Sequence, residues 1–426
     1  MKKHILLSES RVYQKNCNFV EKEIIFIVKK FVTKYTQVYI KMIKGKFPNI
    51  IFESLETPFY YYDMELLNNT LQTITQETKN RPFHVHYALK ANANPRILKE
   101  IASRGFGADC VSGNEILKAI ECGFPPSKIA FAGVGKSDKE INIGLENDIS
   151  CFNVESIPEI EVLNELAAKK GKTASVALRI NPNVDARTHK YITTGLNENK
   201  FGINEQDLPE TLKTLSISPN IKLIGIHFHI GSQITDLTSF EDLCVKIKLL
   251  RDWFSEQGVS LQVINAGGGL GINYQHPNHF SMADFESYFR LFEKHLKLEK
   301  DQSLHFELGR SVVAPCGTLI SRVLYMKEGI QKKFLIIDAG MTDLIRPALY
   351  QAFHHIENIS SDGELFKYDV VGPICESSDT FGENITLNQS KRGDFIAIRS
   401  AGAYGETMVS KYNCRDIPKS YFSDLL

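Results

Sequence analysis

In the stretch VHYALKANANP, Val85 to Pro95, one lysine ends an otherwise apolar run. Val85, Tyr87 and Leu89 alternate with His86, Ala88 and Lys90, which is the period of a strand. The run stops at Asn92-Ala93-Asn94-Pro95, a loop signal. An ammonium is out of place inside a core. It is in place where a strand opens into a site.

From Val85 onward one rhythm repeats. Short apolar strands are expected at 85–91, 107–112, 129–133, 151–156, 175–181, 223–231, 261–269 and 304–310. Amphipathic segments such as Pro158–Lys170 and Ser239–Gln257 lie between them. Alternating strand and helix patterns imply parallel βαβ units. Eight units fit an α/β fold of the (β/α)8 barrel type. The main alternative is a doubly wound open sheet. That fold carries a phosphate loop after its first strand, and none stands here. After Arg310 the rhythm changes to strands joined by turns: GTLISRVLYMK, KKFLIIDAG, KYDVVGPIC and DFIAIRSAGAY. These predict a C-terminal all-β domain. The aromatic strand TPFYYYD, ahead of the barrel, is expected to join it. The expected division is 42–63 with the β domain, 64–310 as the barrel and 311–426 as the β domain.

Composition narrows the function. The chain has 426 residues, 43% hydrophobic and 23% charged, with a formal net charge of zero. No basic field argues for nucleic acid. No apolar run reaches the ~20 residues of a spanning helix. The eight cysteines show no paired or finger-like spacing, so free thiols, no metal and a cytoplasmic location are expected. Residues 1–41 differ from the rest, with eight Lys and one Arg against three Glu. They are read as an extension of unknown role, with Met42 a plausible natural start.

In a parallel barrel the chemistry gathers at the C-terminal ends of the strands. Lys90, Asp109, Arg179, His229, Ser232, the run Gly267-Gly268-Gly269, Glu307 and Arg310 all fall there. Consecutive glycines expose backbone N–H groups, as a phosphate requires. Ser232 adds a hydroxyl and Arg310 a planar donor fork. Desolvation is expected to lower the Lys90 pKa and free its amine as a nucleophile. A lysine imine, a phosphate cradle and an acid for a ring nitrogen together describe pyridoxal 5'-phosphate. Glu307 is the candidate acid, and His229 is placed to lie against the ring. Each residue has a bland reading: a solvated lysine, a glycine turn, a core histidine, or Glu307 paired with Arg310. Their joint placement favours the site.

The motifs YALKANANP, GADCVSGNE, HFHIGSQI, NAGGGLGI, ELGR, RPALYQA, CESSDTFG and GAYGETM occur in that order. Together they resemble the diaminopimelate decarboxylases, within the alanine racemase-like and ornithine decarboxylase-like group of pyridoxal phosphate enzymes. The resemblance runs from about Phe52 to the C-terminus. It departs at Leu308, where many relatives have proline. It implies that Lys90 forms the internal aldimine, that His229 stacks on the ring and that Glu307 bonds the pyridine nitrogen. Asp109 is placed among the cofactor contacts. Ser232, Gly267, Gly268, Gly269 and the Gly309-Arg310 backbone are implied to hold phosphate, and Tyr404 to reach the cofactor. Cys375 is the implied proton donor. Cys375 and Glu376 come from the neighbouring subunit in such relatives, which implies a homodimer with shared active sites.

The resemblance implies decarboxylation of meso-2,6-diaminopimelate to L-lysine, the last step of lysine biosynthesis. A substrate that ends in an amino acid centre needs a cation for its distal carboxylate and an anion for its distal ammonium. Arg310, Arg346 and Tyr350 are offered to the first, and Glu376 to the second, with Tyr404 also placed among the substrate contacts. The alternatives are a decarboxylase of another basic amino acid or of carboxynorspermidine, or a non-catalytic regulatory relative. A racemase fits less well, because that chemistry prefers an unprotonated ring nitrogen and this chain offers Glu307.

Overall fold

The computed structural model describes residues 44–184 and 200–426. The expected extension, residues 1–41, lies outside the described residues. Pro48–Leu426 forms one compact unit. Among the described residues, no helix is long and apolar enough to cross a membrane.

Eight strands close a parallel barrel: β2 (Phe83–Ala88), β3 (Gly107–Cys110), β4 (Ile129–Phe131), β5 (Cys151–Val154), β6 (Ala174–Arg179), β7 (Ile221–His227), β8 (Val263–Asn265) and β9 (Ser303–Leu308). The barrel shuts where β2 pairs with β9, with His86 opposite Glu307 and Tyr87 opposite Leu308. Helices follow the strands, and short polar side chains start several of them. Ser112, Ser156 and Asp284 each cap a helix by accepting a backbone N–H, and Ser137 with Glu140 forms a full capping box.

Alternation along the strands sorts two environments. Phe306 of β9 packs edge-on against Tyr288, Phe289 and Phe292 of the helix Phe285–His295, with ring centroids 5.0–5.6 Å away. Its neighbours His305 and Glu307 face the barrel axis. There His305 Nδ1 lies 2.9 Å from His86 Nε2. The barrel therefore carries an apolar coat and a polar, hydrogen-bonded axis. Leu308 is buried at the end of β9 and presents no polar group.

The rest of the chain builds a second, mostly antiparallel sheet. Its path is β12 (Ile356–Asn358), β15 (Phe395–Ile398), β10 (Gly317–Glu328), β11 (Lys333–Ile337), β13 (Leu365–Val371) and β14 (Thr380–Asn388). Strand β1 (Phe59–Tyr62) pairs with β10 and with β16 (Lys419–Phe422), so the segment ahead of the barrel is woven into this sheet. The fold class is an α/β barrel with an added β domain.

One local expectation is corrected. The first barrel strand ends at Ala88, and Leu89–Ala91 form a 3-10 turn. Leu89 continues the apolar alternation, which is why the pattern alone runs on to residue 91. Lys90 therefore projects from a turn beyond the strand rather than from the strand itself.

Candidate active site

A cavity of about 1010 Å³ opens at the C-terminal ends of the barrel strands. Lys90, Asp109, His229, Ser232, Gly269, Glu307, Gly309, Arg310, Arg346, Tyr350 and Tyr404 all line it. Most of the residues singled out in the sequence thus meet in one place, although they span more than 300 positions.

The turn that carries Lys90 is held from the β domain. Tyr404 N–H donates to Ala91 O at 2.7 Å. Asn94 donates to Glu406 Oε1 at 2.9 Å, and Asn92 donates to Tyr62 OH at 2.8 Å and to Gly402 O at 2.9 Å. Tyr404 itself has φ +56°, a left-handed conformation that a tyrosine adopts only when its surroundings impose it.

Lys90 Nζ lies 3.2 Å from Asp109 Oδ2. Burial acts to lower the lysine pKa. The Asp109 carboxylate, helped by Tyr404 and Glu307, outweighs burial and moves it up. The expected free amine is therefore corrected: without a covalent partner, Lys90 is an ammonium. Asp109 Oδ1 is buried without a hydrogen bond.

Glu307 sits deeper, on the barrel axis. Its Oε1 accepts from Asn265 Nδ2 at 2.8 Å and from Asn153 Nδ2 at 3.2 Å, and His227 Nε2 lies 2.9 Å from Oε2. Burial alone would raise its pKa. His227 and the cations beyond it reverse this and hold Glu307 well below the usual carboxylate range. Glu307 does not pair with Arg310, so that bland reading fails. No signal in the sequence marks Asn153, His227 or Asn265 as its partners. They come from three other strands, and only the barrel register brings them together.

His229 Nδ1 accepts from Gly268 N–H at 3.3 Å. Burial, then Arg179 and Lys90, push its pKa down to about 3, so the imidazole is neutral. The triple glycine works differently from the expectation. Gly267 N–H already donates to Asn265 Oδ1 at 2.9 Å. A Cβ on Gly267 would meet Phe228 O at 2.0 Å, and one on Gly268 would meet Glu307 O at 2.0 Å. These two glycines let neighbouring strand ends approach, and only Gly269 reaches the cavity.

Arg310 and Arg346 converge on one phenol. Arg310 Nη1 donates to Tyr274 OH at 2.8 Å and Arg346 Nη1 at 3.1 Å. Arg310 Nη2 donates to Ser232 Oγ at 3.0 Å, and its guanidinium lies 4.9 Å from the Tyr404 ring. Tyr274 was not singled out in the sequence, because it lies in a loop with no periodic signal. Cys375 and Glu376 are exposed and do not line this cavity.

The residues fit pyridoxal phosphate. Lys90 supplies the amine, and Glu307 supplies a carboxylate locked in its charged form. Arg310 keeps a buried Nε without a partner. Gly309, Arg310 and Ser311 line the cavity at the start of the helix Arg310–Val313, where the first N–H groups have no partner within the helix.

Comparison with known proteins agrees with this chemistry. A family model described as the pyridoxal binding domain of pyridoxal-dependent decarboxylases matches residues 65–314. A diaminopimelate decarboxylase of Bacteroides thetaiotaomicron is 60% identical over 90% of this chain and 100% of that protein. One from Neisseria meningitidis is 43% identical over 85% of this chain and 87% of that protein. The structure of the Helicobacter pylori diaminopimelate decarboxylase complexed with L-lysine superposes with a TM-score of 0.83. It is 40% identical and covers 88% of this chain and 93% of that one. Read with the barrel, the locked carboxylate and the lysine turn, these matches place the chain in the diaminopimelate decarboxylase family of pyridoxal phosphate-dependent carboxy-lyases.

Proposed function

We propose that this chain converts meso-2,6-diaminopimelate to L-lysine and CO2, the last step of lysine biosynthesis, in the cytoplasm. The observation that carries the substrate choice is the pair Arg310 and Arg346. Both are buried at the cavity wall, and among the described residues neither makes an ion pair. Two such cations suit an incoming carboxylate and repel the ammonium at the far end of an ornithine-type substrate.

The cofactor supplies an electron sink for the pair left when the α-carboxylate departs as CO2. Lys90 Nζ would bind it covalently, and Asp109, 3.2 Å away, would hold the Lys90 ammonium when the amine is free. Glu307 would present a fixed negative charge to the ring nitrogen, with Asn153, Asn265 and His227 keeping it from taking up a proton. His229, neutral, would face the ring without adding charge. Ser232, Gly269 and the Gly309-Arg310 backbone would hold the phosphate and Tyr404 would reach the cofactor, with Gly267 and Gly268 shaping the strand ends behind them. Tyr350, with Tyr404, completes the substrate pocket.

The proton returned to Cα comes from Cys375, a thiol that exchanges protons readily near neutral pH. Cys375 and Glu376 stand exposed and off their own chain's cavity, which supports a homodimer in which each subunit completes the other's site. Residues 64–310 then hold the cofactor, while 42–63 and 311–426 deliver the donor loop.

A substrate panel tests the reading. Of meso-diaminopimelate, L-ornithine, L-arginine, L-lysine and carboxynorspermidine, the first is expected to give the highest kcat/KM, dependent on added cofactor. A higher value for any other member contradicts it.

A further inference from the structure

We infer that Tyr274 is a specificity-determining residue: its hydroxyl, shared by Arg310 and Arg346, sets both guanidiniums to receive the carboxylate at the far end of the substrate. The inference rests on the substrate proposed above.

Two buried guanidiniums repel, and no carboxylate among the described residues separates them. The phenol oxygen takes that place. It accepts from Arg310 at 2.8 Å and from Arg346 at 3.1 Å. A hydroxyl has two acceptor lone pairs and one hydrogen. With both lone pairs taken, its own O–H remains as a third donor at the same point of the cavity wall. The residue is held in place from several directions. The Arg346 guanidinium lies 5.1 Å from the Tyr274 ring, and the His354 ring stands edge-on at 5.2 Å. His354 Nδ1 donates to Arg399 O at 2.8 Å, which leaves Nε2 to accept from Arg346 Nη1 at 2.8 Å. Arg346 is therefore aimed from both sides, by an imidazole that backbone fixes and by the phenol. Burial, then Arg346, push the His354 pKa down to about 3, so it does not compete as a cation.

An oxyanion here has two sources, the substrate's distal carboxylate or the cofactor phosphate. We assign the carboxylate, because Tyr274 joins Arg310 to Arg346, and Arg346 lines the cavity with Tyr350, the residues offered above to the substrate rather than to the phosphate.

The test uses the holoenzyme and Tyr274→Phe. L-lysine keeps the distal carboxylate of the substrate, and cadaverine, the corresponding diamine, lacks it. Both are measured as competitive inhibitors, with cofactor affinity followed by spectroscopic titration. In the wild type, L-lysine is expected to inhibit more strongly than cadaverine. In Tyr274→Phe, lysine inhibition is expected to weaken roughly 10- to 100-fold, the size of a lost hydrogen bond to a charged group. KM for diaminopimelate should rise with it, while cadaverine inhibition and cofactor affinity hold, which also shows that the variant is folded. A variant that retains the lysine preference overturns the inference, as does one that loses cofactor affinity instead. A wild type with no lysine preference overturns the substrate reading and the inference with it.

Discussion

His227 Nε2 and Glu307 Oε2 lie 2.9 Å apart on the barrel axis, and two asparagine amides hold the opposite carboxylate oxygen. Every partner of Glu307 donates, so the site is built for a charged acceptor. Glu307→Gln turns one acceptor into a donor that faces another donor. The variant is expected to lose about 10²- to 10³-fold in kcat, as for removal of one preorganised electrostatic group. Steady-state kinetics on the cofactor-loaded enzyme checks this.

Asp109 sets the charge of Lys90. Without its carboxylate, burial is the largest remaining influence on the ammonium and acts to lower its pKa. Asp109→Asn is expected to move the pH midpoint of cofactor uptake down by about 1–3 units, the usual effect of one close opposite charge. An unchanged midpoint in a visible-absorbance titration contradicts this.

Buried histidines set an acid limit on stability. The folded-state pKa values of His86, His229, His305 and His354 all lie below the ordinary value, with burial the largest cause. A histidine whose folded pKa is depressed is protonated first in the unfolded chain. Stability is therefore full above about 6.5, the unfolded value, and falls as pH drops below it. For His229 and His354 the fall continues to about 3. Urea midpoints at pH 7.5 and 5.5 should differ in that direction.

Much of this was legible in the sequence. Strand and helix periods alternate cleanly from Val85, and the polar residues at the strand ends meet in one cavity. What escaped has physical reasons. Asn153, His227 and Asn265 are single polar residues in strands whose inward direction only the barrel register defines. Tyr274 sits in a loop. The charge of Lys90 depends on the 3.2 Å approach of Asp109, which no spacing encodes. Gly267 and Gly268 read as anion donors from composition, but strand crowding decides their use.

The proposed shared-site dimer makes a complementation test possible. Lys90→Ala and Cys375→Ala should each be inactive alone. In a two-fold dimer with shared sites, equal mixing and subunit exchange produce mixed dimers with one intact site, and roughly a quarter of wild-type activity returns. No recovery after demonstrated exchange contradicts the assignment of Cys375.

Phe306 ties the barrel to the helix Phe285–His295 through three aromatic contacts. Phe306→Ala is expected to cost about 3–5 kcal/mol, from lost burial and the cavity left behind. Chemical denaturation measures it, and a loss under 1 kcal/mol, about the scale of a surface change, contradicts the core assignment.

On the function proposed above, this cavity decarboxylates diaminopimelate through Lys90. The most direct test is to incubate the cofactor-loaded enzyme with meso-diaminopimelate and measure both products. Equimolar L-lysine and CO2 from the wild type, with neither from Lys90→Ala, is the predicted result. CO2 without L-lysine, or undiminished turnover in Lys90→Ala, would contradict it.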